Sequence, residues 1–354
     1  MAVIMLLFHH LFYHKDVFEK YNLVFNGGTE EWKLLNSLAV FGKICVAIFV
    51  FVSAYGLTKQ YIAKNVLTNK RKLALDSFSR YTKLTINLWV IYLPFLILSF
   101  ILQKHTWWDV YGTDGNWVSA VKNCIIDLLG LSKLFGTPSF NSTWWYISLA
   151  VLIIITVPVL NLLYLKIEWL LVGLAFFFVL MISADNGLAT YYLRYLLGIV
   201  IAVVMANNNT IEKTKAHIYG SPGKLLIFAV LGLIILFISY YLRSRAFISY
   251  SLLDNIAAIA IVYIVFVCNQ IPILGLCFKG FEFIGYYSMN IFLMHTFICS
   301  TFFRNFIFSF RYWWLILIVL LCISLLLSFL IEKIKNVAKI DLLQQNLDRF
   351  IRCK

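Results

Sequence analysis

The sequence predicts an all-α protein, a polytopic transmembrane helical bundle of about ten spans. Three observations predict it. Of the 354 residues, 62% are hydrophobic and only 13% charged, against roughly 25% charged in a soluble domain. The apolar residues fall in runs long enough to cross lipid, where a helix needs about 20 of them because no backbone polar group can be left unpaired. The basic residues behind the net charge of +14 lie between those runs. They therefore read as orientation signals rather than as a nucleic-acid surface. A soluble globule, a disordered chain and a secreted disulfide scaffold are excluded. The seven cysteines, Cys45, Cys124, Cys268, Cys277, Cys299, Cys322 and Cys353, show no CxxC spacing. They point to apolar packing, with neither a disulfide framework nor a metal site.

Ten apolar segments are expected as spans. They run over 1–13, 39–57, 84–102, 144–165, 169–183, 189–206, 225–242, 253–268, 283–303 and 313–331. The first offers only about thirteen residues before His14, Lys15 and Asp16, too few to cross a bilayer alone. A missing front end is the expectation. A signal peptide is disfavoured, because there is no basic n-region and no small-residue cleavage site, and two histidines interrupt the run.

Lys59, Lys64, Lys70, Arg71, Lys72, Arg80 and Lys83 mark a cytoplasmic stretch, as does the basic tail after Glu332. Ten spans then place both termini inside a multi-pass cell-membrane protein. Lys213, Lys215 and Lys224 agree; Arg243, Arg245, Arg304 and Arg311 fall outside and oppose the trend. The connections 14–38 and 103–143 are expected outside, with Trp107, Trp108 and Trp117 as interfacial anchors and 117–134 as a short helix, surface-lying or partly inserted. Residues 1–331 read as one membrane domain. The tail 332–354 reads as a basic amphipathic helix on the inner leaflet, with Ile334, Val337, Ile340, Leu343, Leu347 and Phe350 recurring every three or four positions.

Polar groups inside lipid are costly and mark candidate sites. His9 and His10 are adjacent and cannot face the same neighbour, so one of them points to a polar cavity. An imidazole is also the side chain suited to proton transfer near neutral pH. His295, in YYSMNIFLMHTF, shares a helical face with Ser288 and with Asn290 or Ile291, which marks a helix–helix seam or a cavity lining. Ser53, Ala54 and Gly56 are small residues that admit a close helix or a ligand. Arg80 and Lys83 present two cations on one face, as a phosphate site or as snorkelling anchors. Trp144, Trp145 and Tyr146 open their span and could stack on a sugar ring or belong to the interfacial belt.

In order along the chain, these pieces resemble the acyltransferase-3 family of integral membrane acyltransferases. AVIMLLFHHLF is similar to the first family helix, which ends in the functional histidine. FVFVSAYGL is similar to the second, with Ser53-Ala54-Tyr55 where Ser-Gly-Tyr is usual. SRYTKLTINLWVIYLP, STWWYISLAVLIIITVP and YYSMNIFLMH resemble the third helix, a later Trp-rich span and the penultimate Ser-to-His helix. The family's basic residue, ten positions and histidine cannot be completed, because counting back from His10 or His9 passes Met1.

The resemblance implies an enzyme, an O-acyltransferase carrying an acetyl group from cytoplasmic acetyl-CoA to a hydroxyl of a surface polysaccharide or lipid-linked glycan. It implies His10 as the catalytic residue, with His9 in reserve, acting as a general base or carrying the acyl group itself. Donor contacts fall to Arg80, Lys83, Ser53, Tyr55 and Gly56, and acceptor contacts to Trp144, Trp145, Tyr146 and His295. Asp16, Asp127 and Asp254 are the carboxylates expected to orient His10. No metal and no nucleic acid are expected; membrane lipid surrounds the chain, and a separate extracytoplasmic transferase could complete the reaction. The alternative is a secondary transporter or flippase of a lipid-linked glycan. Against it, no paired broken segments recur in two matching halves.

Overall fold

The computed structural model describes residues 1–25, 27–181, 188–245 and 250–353. Among these the regular structure is helical, apart from one isolated bridge between Val24 and Tyr312. The longer helices are α1 (Ala2–Phe12), α2 (Gly28–Phe41), α3 (Cys45–Ala63), α4 (Lys70–Leu102), α5 (Trp117–Leu128), α6 (Trp145–Ile167), α7 (Leu170–Met181) and α8 (Leu188–Asn207). They continue with α9 (Pro222–Arg245), α10 (Tyr250–Cys268), α11 (Pro272–Tyr286), α12 (Ser288–Thr296), α13 (Trp313–Val337) and α14 (Ile340–Cys353).

Seven described stretches are long and apolar enough to cross a membrane: Gly28–Ala63, Lys70–Leu102, Ser142–Ile167, Thr190–Asn207, Pro222–Arg245, Tyr250–Cys268 and Trp313–Val337. The protein is thus an all-α membrane protein. Three of the ten expected spans take other forms. Ala2–Phe12 and Leu170–Met181 are apolar but short; Ile182 and Ser183 lie outside the described residues. The expected span 283–303 is broken at Tyr287 and again where α12 gives way to a π-helical stretch, Phe297–Phe302. The expected connection 14–38 is largely helical, with Val17–Lys20 and then α2.

The chain forms two interleaved compact units. The first comprises Met1–Lys43, Phe78–Val151 and Phe283–Lys354, and the second Ile44–Ser77 and Leu152–Glu282. In the first, α1 and α2 are zipped antiparallel. The His9 Nδ1–H donates to Ala39 O at 2.7 Å, and the Asn36 amide donates to Phe12 O at 2.7 Å and Tyr13 O at 3.1 Å. Those two carbonyls belong to the end of α1, which has no intrahelical donors left for them.

Also in this unit, α5 runs antiparallel along α4. Tyr92 OH lies 3.6 Å from Cys124 Sγ, the Trp89 indole N–H donates to Leu128 O at 2.7 Å, and Tyr81 OH donates to Leu129 O at 3.0 Å. Trp89 stands thirteen residues before Leu102, or about 20 Å along the helix axis. The helix therefore runs alongside α4. Its exposed side carries Trp117, Val118, Val121 and Ile125, an apolar face suited to lipid. The buried Asp127 anchors the return loop by accepting from Phe140 N and Tyr111 OH, each at 2.7 Å.

In the second unit, α3 packs on α8 and α10, and α9 pairs with α10. Asn255 locks α10 to α8, accepting from Gly198 N at 3.1 Å and donating to Arg194 O at 2.6 Å. The Arg243 guanidinium, which opposed the orientation rule, is paired with Asp254 at 2.7 Å. Among the described residues Cys45, Cys124, Cys268, Cys299 and Cys322 form no disulfide; the side chains of Cys277 and Cys353 fall outside the described residues.

Candidate active site

The first unit brings together two histidines 285 positions apart. His10, at the end of α1, and His295, near the end of α12, have ring centroids 4.9 Å apart and planes inclined at 54°. His295 is fully buried, and its Nδ1 lies 2.9 Å from Phe292 O and 3.1 Å from Ile291 O. A carbonyl only accepts, so Nδ1 carries the hydrogen, and in the neutral ring Nε2 keeps a lone pair. That Nε2 is buried with no hydrogen-bond partner among the described residues. His10 is half-buried and has no hydrogen bond to the described residues, so its ring nitrogens are available for chemistry. His9 faces elsewhere: its Nδ1–H is spent on Ala39 O, and its ring stacks on Tyr13 at 4.8 Å. Of the vicinal pair, His9 is bonded into the α1–α2 seam and His10 lies beside His295. Gly42 shows how tight that seam is, since a Cβ there would lie 3.2 Å from Met5 O and 3.4 Å from the His9 Cβ.

A buried hydrogen-bond knot fixes His295 from the other side. Asn141 Oδ1 accepts from Thr143 N at 3.1 Å, from Thr143 Oγ1 at 2.9 Å and from Thr296 Oγ1 at 2.8 Å. The Asn141 amide donates to Leu293 O at 3.3 Å, and the Trp144 indole N–H donates to the same carbonyl at 2.9 Å. Leu293 and Thr296 flank His295, and the π-helical stretch starts at the next residue, Phe297. Such π turns occur mostly as single-turn departures at functional sites. Asn141 and Thr143 were not legible as site residues; the only signal was an Asn-Ser-Thr run just before the Trp-Trp pair.

Other expected residues fall as follows. Trp144 does not offer a face to a sugar. It is 2% exposed and wedged among Phe140, Phe297 and Tyr92. Trp145 and Tyr146 are half-buried, with Tyr146 edge-on to Phe292 at 5.1 Å. Two of the three carboxylates expected to orient His10 are engaged elsewhere, Asp127 in its loop and Asp254 with Arg243. The group beside His10 is a second imidazole. Lys83 is paired with Asp348 of α14 at 2.7 Å, while Arg80 is half-buried three residues before it.

Ser53, Tyr55 and Gly56 belong to the second unit. Ser53 is exposed, and a Cβ on Gly56 would meet nothing within 4 Å. Tyr55 OH donates to Glu212 Oε2 at 3.4 Å, and Glu212 Oε1 pairs with Lys59 at 2.6 Å. The hydrogen bond from Lys59 holds the Glu212 carboxyl below the usual carboxylate range. Among the described residues no cluster of histidine, cysteine and carboxylate groups could hold a metal ion.

The model of the acyltransferase domain family, of the acyltransferase-3 type, matches residues 1–333. The chain belongs to that family. As an acyltransferase-3 protein it is a membrane acyltransferase, and the match takes in α1 to α12 and α13 as far as Lys333. No curated relative and no solved structure matches the chain.

Proposed function

We propose that the protein transfers an acetyl group from acetyl-CoA to a hydroxyl of a surface polysaccharide or lipid-linked glycan, with His10 as general base. The observation that carries this reading is the His10–His295 pair: a half-buried imidazole with uncommitted nitrogens beside a buried imidazole whose Nε2 lone pair has no partner. An N–H of His10 turned to His295 Nε2 fixes the tautomer of His10 and leaves its other nitrogen basic. Hydrogen bonds of this kind often tighten only when substrate is bound.

The basic nitrogen takes the proton of the acceptor hydroxyl as its oxygen attacks the thioester carbonyl. A C–O bond forms, the C–S bond breaks, and the proton passes to the departing thiolate, giving the acetyl ester and free coenzyme A. Lys83 and Arg80, on one face of α4, suit the donor's phosphates, and Trp145 and Tyr146 suit the acceptor ring. The Lys- and Arg-rich stretch around Lys59 to Lys83 supports a cytoplasmic face for this end of α4, the side where the donor is made.

Membranes carrying the protein, supplied with acetyl-labelled acetyl-CoA, test the reading directly. Label appearing in surface glycan supports it. Glycan or precursor flux without consumption of acetyl-CoA contradicts it in favour of a transporter.

A further inference from the structure

Helix α14 lies wholly beyond the residues that the family match covers, yet it is latched onto the matched part. The chain leaves α13 through Lys339, whose φ of 52° is left-handed, and enters α14. Asp348 on α14 then holds two groups on successive turns of α4. One carboxylate oxygen accepts from the Ser79 hydroxyl, and the other meets Lys83 Nζ at 2.7 Å. Ser79 and Lys83 are four residues apart, so they stack on one helical face. Ser79 is 3% exposed, and the side chain of Asp348 17%. An uncharged hydroxyl and an ammonium converging on the two oxygens of one anion are the donors that a phosphate group takes.

We propose that Ser79 and Lys83 form a binding site for a phosphate-bearing ligand, and that Asp348 occupies it as an intramolecular stand-in, making α14 a plug that competes with the ligand. The proposal rests on the reading of the protein as a user of coenzyme A thioesters and assigns the place of their phosphates. The Lys83 side chain is 44% exposed, and ion pairs so open to water are weak enough to exchange. Apparent affinity falls by the fraction of molecules in which the site is open, so a plug closed nine-tenths of the time weakens binding about tenfold. The outward side of α14 carries Leu343 and Phe350, both exposed, an apolar edge able to rest on a lipid surface when the plug is released. A lipid headgroup offers the same phosphate chemistry as a nucleotide, and the two sources are separable by experiment.

The test uses the full chain in phosphatidylcholine nanodiscs, with coenzyme A binding measured by calorimetry. Asp348→Asn is expected to tighten binding about tenfold, and a chain ending at Lys339 is expected to do the same, which guards against a variant that merely misfolds α14. Adding Lys83→Met to either is expected to remove the gain. Repeating the titration in phosphatidylglycerol nanodiscs identifies the source: weaker coenzyme A binding means that lipid phosphates share the site, and unchanged binding means that the nucleotide alone uses it. Unchanged affinity in both plug variants, or a gain that survives Lys83→Met, overturns the proposal. Because binding is read without turnover, His10→Ala protein serves as the control: it loses transfer if the catalytic reading holds and binds coenzyme A as the parent does.

Discussion

His10 and His295 face each other with ring centroids 4.9 Å apart, although α1 and α12 lie at opposite ends of the chain. Because His295 donates from Nδ1 to Phe292 O and Ile291 O, only its Nε2 can serve His10. His295→Leu removes that lone pair and keeps a side chain of similar bulk. The expected result is a fall in kcat on the order of 10- to 100-fold, as for groups that orient a working imidazole in metal sites. KM for the donor should stay unchanged. A loss confined to KM would make His295 an acceptor contact instead.

Trp144 reads as a structural donor, so its ring N–H should matter more than its ring. Trp144→Phe keeps most of the packing and deletes the bond to Leu293 O, which retains the Asn141 amide. A loss of about 1 kcal/mol in unfolding free energy is expected. Asn141→Leu strips donors and acceptors from Thr143, Thr296 and Leu293 at once and should cost more, about 1–3 kcal/mol for each buried group left unpaired. Chemical denaturation in detergent compares the two. Equal stability of Asn141→Leu and the parent would contradict the knot.

Much of the fold was legible because lipid permits so few solutions: apolar runs near 20 residues must be helices. What composition could not show is where helices break. The run from Tyr286 to Phe303 has no proline or internal glycine to announce the interruption at Tyr287 or the π turn after His295. Those departures depend on partners such as Asn141 and Trp144, supplied from some 150 residues away. His10 and His295 were each legible as polar groups in apolar helices. Their pairing was not, because nothing local couples α1 to α12. The preference for His10 over His9 rested on resemblance; the structure adds that His9 is bonded to Ala39 O while His10 lies beside His295. The sugar-stacking role expected of Trp144 failed because an indole at a span's start looks the same whether it faces water or a neighbouring carbonyl.

The turn below α5 depends on Gly130. Its φ is +71°, and a Cβ there would lie 2.6 Å from Ile147 Cγ2. Gly130→Ala meets both the left-handed backbone penalty and a clash in a packed core, together about 2–4 kcal/mol. Reduced thermal stability is the expected observation, and an unchanged melting temperature would contradict the packing of α5 on α6.

Glu212 should give the second unit a small acid sensitivity. Its carboxyl is held below the usual value first by the hydrogen bond from Lys59. A depressed carboxylate stabilises the fold at pH above its unfolded value, about 4.3, and that stabilisation is lost as pH falls through the folded value. The Glu212 side chain is 52% exposed, so solvent and salt screen the pair and the effect stays small. Melting curves taken down the acid range should fall less steeply for Glu212→Gln than for the parent. Identical slopes would remove the pair from the stability account.

The central claim is that His10, and not its neighbour, removes the proton. Initial rates of label transfer from acetyl-CoA should be compared for His10→Gln and His9→Gln at matched amounts of folded protein. The account predicts a loss of about 10² to 10⁴-fold for His10→Gln, and for His9→Gln only the effect of a loosened α1–α2 seam. Full transfer by His10→Gln, or the larger loss at His9, would contradict it.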